Sequence, residues 1–163
     1  MIMKILYLID SKKYNYHKRL ADDFISVTGG NVIDTAGADP GKQYYDIAEE
    51  DPDVVITFDL AGHEFRTGND TLSLNNIYTR FAHILFHRSS HYGRELKARQ
   101  NLSMFTFIPS GEDAGICRRD LPEVPNIDNF VNISYKPESD SEQKENLANI
   151  ALWWSDFKRK AML

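Results

Sequence analysis

The chain has 163 residues, of which 42% are hydrophobic and 26% are charged, and its formal net charge is −5. This length fits a single domain over residues 1–163 with a substantial hydrophobic core, and the composition argues against disorder. The acidic balance argues against a general polyanion binder, so no nucleic-acid partner is expected. The only cysteine, Cys117, excludes an internal disulfide and suits a reducing compartment.

The apolar stretches are too short to cross a membrane, which takes about eighteen or more apolar residues. The N-terminal stretch MIMKILYLID ends at Asp10 and has neither a basic start nor a small-residue cleavage site. We therefore expect a cytoplasmic protein with no membrane partner.

Strand and helix patterns alternate in the first part of the chain. Residues 2–9 form a nearly continuous apolar run, which is typical of a strand covered on both faces. Leu20, Phe24 and Val27 follow at helical spacing, and Gly29–Gly30 is a stop signal. A short strand, a short helix and a clear buried strand are then predicted at 31–35, 43–51 and 53–58. This alternation predicts a parallel sheet with right-handed crossovers.

The later part of the chain is harder to interpret. Residues 75–81 favour a helix, and 83–86 fit either its continuation or a strand; we favour the strand, because 89–100 then supplies a crossover helix. Strands are predicted at 102–109 and, as an edge strand, at 129–136. The fold class is therefore α/β, namely a three-layer Rossmann-like or flavodoxin-like domain with a mostly parallel sheet of about five or six strands.

A last helix is predicted behind a capping box made by Ser139 and Glu142. Its apolar stripe contains Leu147, Ile150, Ala151, Trp154 and Phe157. Because Trp153 and Trp154 are adjacent, we expect only one of them to face the core and the other to mark a partner contact. This predicts a homodimer through the C-terminal helix.

Parallel α/β sheets hold ligands at the carboxyl ends of their strands, and polar residues cluster at these ends here. The densest cluster spans residues 59–70, directly after the clearest strand. His63 and Glu64 are the candidate catalytic bases, and Arg66 is the candidate clamp for an anionic group. The candidate ligand-binding residues are Asp10, Asp59, Arg66, Asn69, Ser110 and Glu112.

Dedicated cofactor motifs are missing from the sequence. No GxGxxG or Walker sequence occurs, so dedicated dinucleotide or P-loop binding is disfavoured and the cofactor stays open. His83, His87 and His91 recur every four residues, as metal ligands on a helix can. A strand followed by a turn separates such side chains, and no cysteine or carboxylate nearby completes a structural zinc set, so no metal site is expected.

The order of segments in residues 50–113 resembles the N-terminal, acceptor-side Rossmann-like half of two-domain GT-B-type glycosyltransferases. The resemblance lies in DVVITFD, a polar loop, HILFH, a helix and then MFTFIPSGED, with its turn at 108–113. It implies site roles for Asp59, His63 and Glu112. The family's donor site lies in a second domain, for which 163 residues leave no room, so the resemblance implies a related fold or a stand-alone relative.

Three functions follow from these patterns. The first is an α/β domain that binds a small polar ligand, a nucleotide or sugar derivative, at the carboxyl ends of its strands; whether it turns the ligand over stays open. The second is a non-catalytic receiver-like or flavodoxin-like interaction module. The third is a metal-dependent hydrolase built on His83, His87 and His91.

Overall fold

The structure is a computed structural model, which describes residues 3–36, 39–58, 64–67, 70–73, 80–84, 104–109, 130–131, 133–134 and 137–160. Its elements in chain order are β1 (Ile5–Ile9), α1 (His17–Thr28), β2 (Asn31–Asp34), α2 (Pro40–Glu50), β3 (Val54–Phe58), β4 (Glu64–Thr67), β5 (Asp70–Ser73), β6 (Arg80–Ile84), β7 (Met104–Pro109), β8 (Phe130–Val131) and α3 (Asp140–Lys160). None of the described helices combines the length and the apolar character that a membrane span requires.

The first three strands of the chain form a parallel sheet with β1 in the middle. Leu6 of β1 lies opposite Asn31 of β2 on one side and Val55 of β3 on the other. The prediction of an α/β fold with a parallel sheet is confirmed by these pairings. Because β1 is central, the connection through α1 leads to one side of it and the connection through α2 returns past it to the other.

Later strand segments also run parallel to their neighbours. In register, β6 pairs with β3, β7 with β6, and the two residues of β8 with the end of β7. The segments β4 and β5 instead form a separate antiparallel hairpin, which lies against α2.

The chain after β3 differs from the prediction in two places. A helix was predicted over residues 75–81, but Arg80 and Phe81 belong to β6. Phe81 pairs with Val55 on one side and with Met104 on the other. Pairing with the neighbouring strands therefore determines the structure of this short apolar segment, whose own pattern fits either a helix or a strand. Residues 59–70 were predicted to be a polar loop, whereas part of this segment forms the hairpin. The predicted helix at 89–100 lies outside the described residues.

Both faces of the two central strands are buried, as their continuous apolar runs predicted. All five residues of β1 and all five of β3 are buried. On one face, Tyr7 and Phe58 share a core with Phe24 of α1 and Phe157 of α3. Full burial of each such side chain contributes about 1.5–3 kcal/mol, so this core holds the two helices on the sheet.

Both tryptophans of α3 belong to that core, so the expectation that only one of them faces it is wrong. Trp153 is 4% exposed and Trp154 is 8% exposed. The Trp153 ring meets Phe24 edge-on at a centroid distance of 5.2 Å, and Phe157 stacks with both indoles. Adjacent helix positions differ by only ~100°, and indoles are large enough to reach one core from both. The exposed Leu152, at 71%, is an apolar side chain on the outside of α3.

The N-terminal part of α3 is fixed by polar contacts. Ser139 Oγ accepts the Glu142 N–H at 3.2 Å, so the predicted cap at Ser139 forms. The Glu142 carboxylate accepts the Glu138 N–H at 2.6 Å, in place of the Ser139 N–H that a full capping box uses. The buried Asn146 side chain accepts the Ser134 N–H at 3.0 Å and donates to the Ser134 carbonyl at 2.8 Å. This pair of bonds holds the chain after β8 beside α3.

Candidate functional site

The carboxyl ends of β1, β2 and β3 converge where the direction of the crossovers reverses. Asp10 follows β1, Asp34 is the last residue of β2, and Phe58 is the last residue of β3. Since β1 lies between β2 and β3, the connections on its two sides diverge, and open α/β sheets bind ligands in the crevice at such a point. Of the predicted ligand-binding residues, Asp10 is the one whose side chain the structure describes at this crevice.

The turn between β1 and α1 is organised around Asp10. Its carboxylate oxygen Oδ1 accepts the N–H groups of Lys12 at 3.2 Å and Lys13 at 2.9 Å. Its carbonyl oxygen accepts the Tyr14 N–H at 3.0 Å. These bonds within a few residues are the local turn that aspartate favours, and they fix the chain as it leaves the sheet.

His17, the first residue of α1, joins this turn to the sheet. Its side chain is fully buried, and its Nδ1 accepts the Asp10 backbone N–H at 3.1 Å, so that nitrogen carries no proton in this geometry. The ring stacks on Tyr14 at a centroid distance of 4.6 Å and lies 5.9 Å from the Phe58 ring. Sequence analysis did not single out His17; its place at the start of a helix that follows a strand end was the available signal.

Asp34 ties the end of β2 to the same turn. Its carboxylate accepts the Ser11 N–H at 3.1 Å, the Ser11 hydroxyl, and the Ala36 N–H at 3.0 Å. Beside it, Thr35 donates both its N–H and its hydroxyl to the Ile9 carbonyl, at 2.8 and 2.9 Å. The two loops at the end of β1 and β2 are therefore one hydrogen-bonded unit.

These hydrogen bonds set the ionisation of Asp34. Burial acts to raise the pKa of this carboxyl, but the hydrogen bonds from the Ser11 side chain and from the Ala36 and Ser11 N–H groups outweigh it and hold the pKa below its usual value. The group is thus a carboxylate at neutral pH. Asp34 was not among the residues predicted from the sequence, because its partner Ser11 lies at the end of another strand.

The structure describes only two of the remaining predicted site residues. Glu64 and Arg66 lie on β4, where Arg66 pairs with Thr71 in the hairpin. The other predicted residues lie outside the described part of the chain, and their roles remain predictions: Asp59, His63, Asn69, Ser110 and Glu112.

The histidine-based metal site is likewise only partly covered. His83 lies in β6, whereas His87 and His91 lie outside the described residues. Within the described residues, no group of three or more histidine, cysteine, aspartate or glutamate side chains is arranged to hold a metal ion.

Two clefts in the described part of the chain lie at the opposite edge of the sheet. Their volumes are about 600 and 240 Å³, and both are lined by Lys4, Asn31 and Glu50. Lys4 Nζ donates to the Glu50 carbonyl at 3.0 Å, and the Lys4 N–H donates to Asp53 at 2.8 Å. These contacts join the start of β1 to the end of α2 and to the start of β3. The strand order favours the carboxyl edge for a ligand, and this amino edge is the competing location.

Comparison with known proteins adds no assignment to this geometry. No protein-family model and no curated protein matches the sequence. The case for function therefore rests on the fold and on the residues at the carboxyl ends of the strands.

Proposed function

We propose that this protein binds a small polar ligand, a nucleotide or a sugar derivative, at the carboxyl ends of β1 and β3. The observation that carries the proposal is the strand order β2-β1-β3, in which all neighbours are parallel. Parallel α/β sheets bind ligands beside the strand from which the order reverses. Here that strand is β1, and it ends in a turn with a carboxylate, a hydroxyl and two exposed lysines.

The proposal includes a complete three-layer, Rossmann-like or flavodoxin-like domain with a parallel sheet of five or six strands. The registers of β6, β7 and β8 support the longer sheet. Burial of both faces of β1 and β3 supports helices on the two sides, with α1 and α3 on one. Right-handed crossovers put α2 on the other side, because β2 and β3 lie on opposite sides of β1.

In this proposal the chain after β3 supplies the chemical groups that the β1 turn lacks. Asp59, Asn69, Ser110 and Glu112 contact the ligand, Arg66 holds an anionic group, and His63 or Glu64 acts as base if the ligand is turned over. The hairpin β4–β5 supports this arrangement, since a paired strand holds the backbone of Glu64 and Arg66 more firmly than a free loop. A cytoplasmic relative of the acceptor-side half of glycosyltransferases fits these roles.

A ligand screen with matched variants tests the proposal. The full chain is heated with nucleotides, nucleotide sugars and sugar phosphates, and any compound that raises Tm is taken to calorimetry. We expect His63→Ala and Arg66→Ala to weaken binding by about tenfold or more, as the loss of about 1.4 kcal/mol does. Arg159→Ala is the control, because Arg159 is an exposed cation on α3 paired with Asp156.

The outcome separates the proposed site from others. A hit that the control leaves unchanged and both site variants weaken supports the site. A hit that is indifferent to His63→Ala and Arg66→Ala contradicts these roles, and a screen without any hit contradicts the proposed function.

A further inference from the structure

The turn between β1 and α1 stands where nucleotide-binding α/β folds hold phosphate on backbone N–H groups. In this protein the corresponding donors are already in use. Five successive N–H groups, from Asp10 to Tyr14, donate to acceptors within the chain. The acceptors are the His17 ring, the carboxylates of Asp34 and Asp10, and the Asp10 carbonyl.

We propose that this turn excludes phosphate and that Asp10 and Asp34 are the residues that set this specificity. The inference rests on the proposed ligand site and adds which end of the ligand meets β1. The Asp10 carboxylate holds the Lys12 and Lys13 N–H groups that a phosphate would need, and Asp34 holds that of Ser11. A phosphate at this turn would have to displace one carboxylate and lie close to both, which like charge opposes.

The neighbouring cations do not change this conclusion. Lys12 and Lys13 are exposed, and the Lys13 ammonium lies over the Tyr14 ring at 5.5 Å from its centroid. Long exposed ammonium groups are strongly hydrated point charges and form no rigid cradle for an anion. Their charges also offset those of Asp10 and Asp34, so the turn has no local excess of positive charge.

The part of the ligand that faces the turn is therefore uncharged and carries hydroxyl groups, as the ring of a sugar or a nucleoside does. Such hydroxyls donate to carboxylate oxygens, which accept more than one hydrogen bond each. Any phosphate of the same ligand is directed away from β1, towards the chain after β3, where Arg66 is the proposed anion clamp.

Titration with inorganic pyrophosphate, followed by the amide NMR signals of the full chain, tests the exclusion directly. In the unmodified protein the signals of residues 10–14 are expected not to move. Asp10→Ala frees two N–H groups. In this variant the signals of residues 10–14 are expected to move, and its affinity for pyrophosphate is expected to be at least about tenfold higher than that of the unmodified protein. Asp22→Ala is the control, since it removes an exposed carboxylate of α1 and leaves the turn intact.

Saturable shifts of residues 10–14 in the unmodified protein would overturn the inference. A folded Asp10→Ala protein whose signals at residues 10–14 do not move with pyrophosphate would overturn the role of Asp10. If that variant does not fold, Asp34→Ala takes its place, because it frees the Ser11 N–H. Signals of residues 10–14 that move with pyrophosphate in Asp34→Ala support the inference, and signals that do not move overturn it.

Matched ligand pairs keep this inference separate from the proposed function. A nucleoside and its monophosphate are expected to shift residues 10–14 alike, with any gain from the phosphate abolished by Arg66→Ala. A phosphate gain that survives Arg66→Ala and moves residues 10–14 would overturn the inference. If no member of the pairs binds at the carboxyl ends, the proposed function fails, while the pyrophosphate titration still decides whether the turn accepts phosphate.

Discussion

Replacing Asp34 tests whether the loops after β1 and β2 form one unit. The carboxylate accepts three hydrogen bonds, two from Ser11 and one from Ala36. A hydrogen bond to a charged group contributes about 1.5–3 kcal/mol when buried, and Asp34 is only half-buried, so water recovers part of each. We expect Asp34→Ala to lower the free energy of unfolding by about 2–4 kcal/mol.

Three further variants assign parts of this stability loss to individual interactions of Asp34. In Asp34→Asn the amide oxygen keeps both N–H donors, the charge is lost, and the Ser11 hydroxyl has to accept from the amide NH2 instead of donating. About 0.5–1.5 kcal/mol is therefore expected. Ser11→Ala removes the hydroxyl bond alone and is expected to cost about the same. In a double-mutant cycle, Ser11→Ala and Asp34→Ala should be non-additive by about 0.5–1.5 kcal/mol, since they share a contact.

Urea unfolding at pH 7 measures these changes. With a urea slope of about 1–3 kcal/mol per molar, Asp34→Ala should lower the midpoint by about 1–2 M without changing the slope. The exposed Asp22 of α1 provides the control, and Asp22→Ala should stay within about 0.5 kcal/mol of the unmodified protein. If Asp34→Ala unfolds like this control, the two loops are not joined in solution and the geometry of the turn is wrong.

Three further changes test other parts of the fold. Asn146→Asp is isosteric but turns the donor to the Ser134 carbonyl into a second acceptor, so the free energy of unfolding in urea is expected to fall by about 1–3 kcal/mol. An unchanged free energy would refute the hydrogen bonds between Asn146 and Ser134. Because the pKa of Asp34 is lowered in the folded protein, its carboxylate stabilises the fold above about pH 4, and this contribution is lost as the pH falls further. The stability difference between the unmodified protein and Asp34→Asn should therefore shrink below that pH. A difference that grows on acidification would contradict a lowered pKa. Gly30 has φ of 117°, and a Cβ there would lie 2.7 Å from the Ile5 carbonyl oxygen, so Gly30→Ala should lower the free energy of unfolding by about 1–3 kcal/mol or more. Gly29→Ala is the control, because Gly29 also has a positive φ but an added Cβ would have nothing within 4 Å. An equal loss in both variants would show that the close approach at Gly30 is absent.

The fold could be predicted from the sequence where one pattern was long enough to be unambiguous. The continuous apolar runs of β1 and β3 predicted strands buried on both faces, and every residue of both strands is buried. The Ser139 and Glu142 pattern predicted the start of α3, and the Ser139 side chain caps this helix. In each case the signal lies within a few consecutive residues.

The missed features have two causes: a local signal that was outweighed, and contacts between distant parts of the chain. The hairpin strands EFRT and DTLS flank Gly68–Asn69, a two-residue turn sequence, but the density of charged and polar residues favoured a loop. The network at the site joins Ser11 to Asp34 and Asp10 to His17. Spacing along the chain shows that these residues end or begin elements; which of them hydrogen-bond depends on the order of strands in the sheet.

The central claim is that the ligand binds at the carboxyl ends of the strands, and amide shift mapping with the strongest compound of the screen tests it most directly. The two edges of the sheet give separate sets of signals. The claim predicts shifts clustered at residues 10–15 and 34–36. Shifts clustered instead around Lys4, Asn31 and Glu50, which line the 600 Å³ cleft at the amino edge, would contradict it.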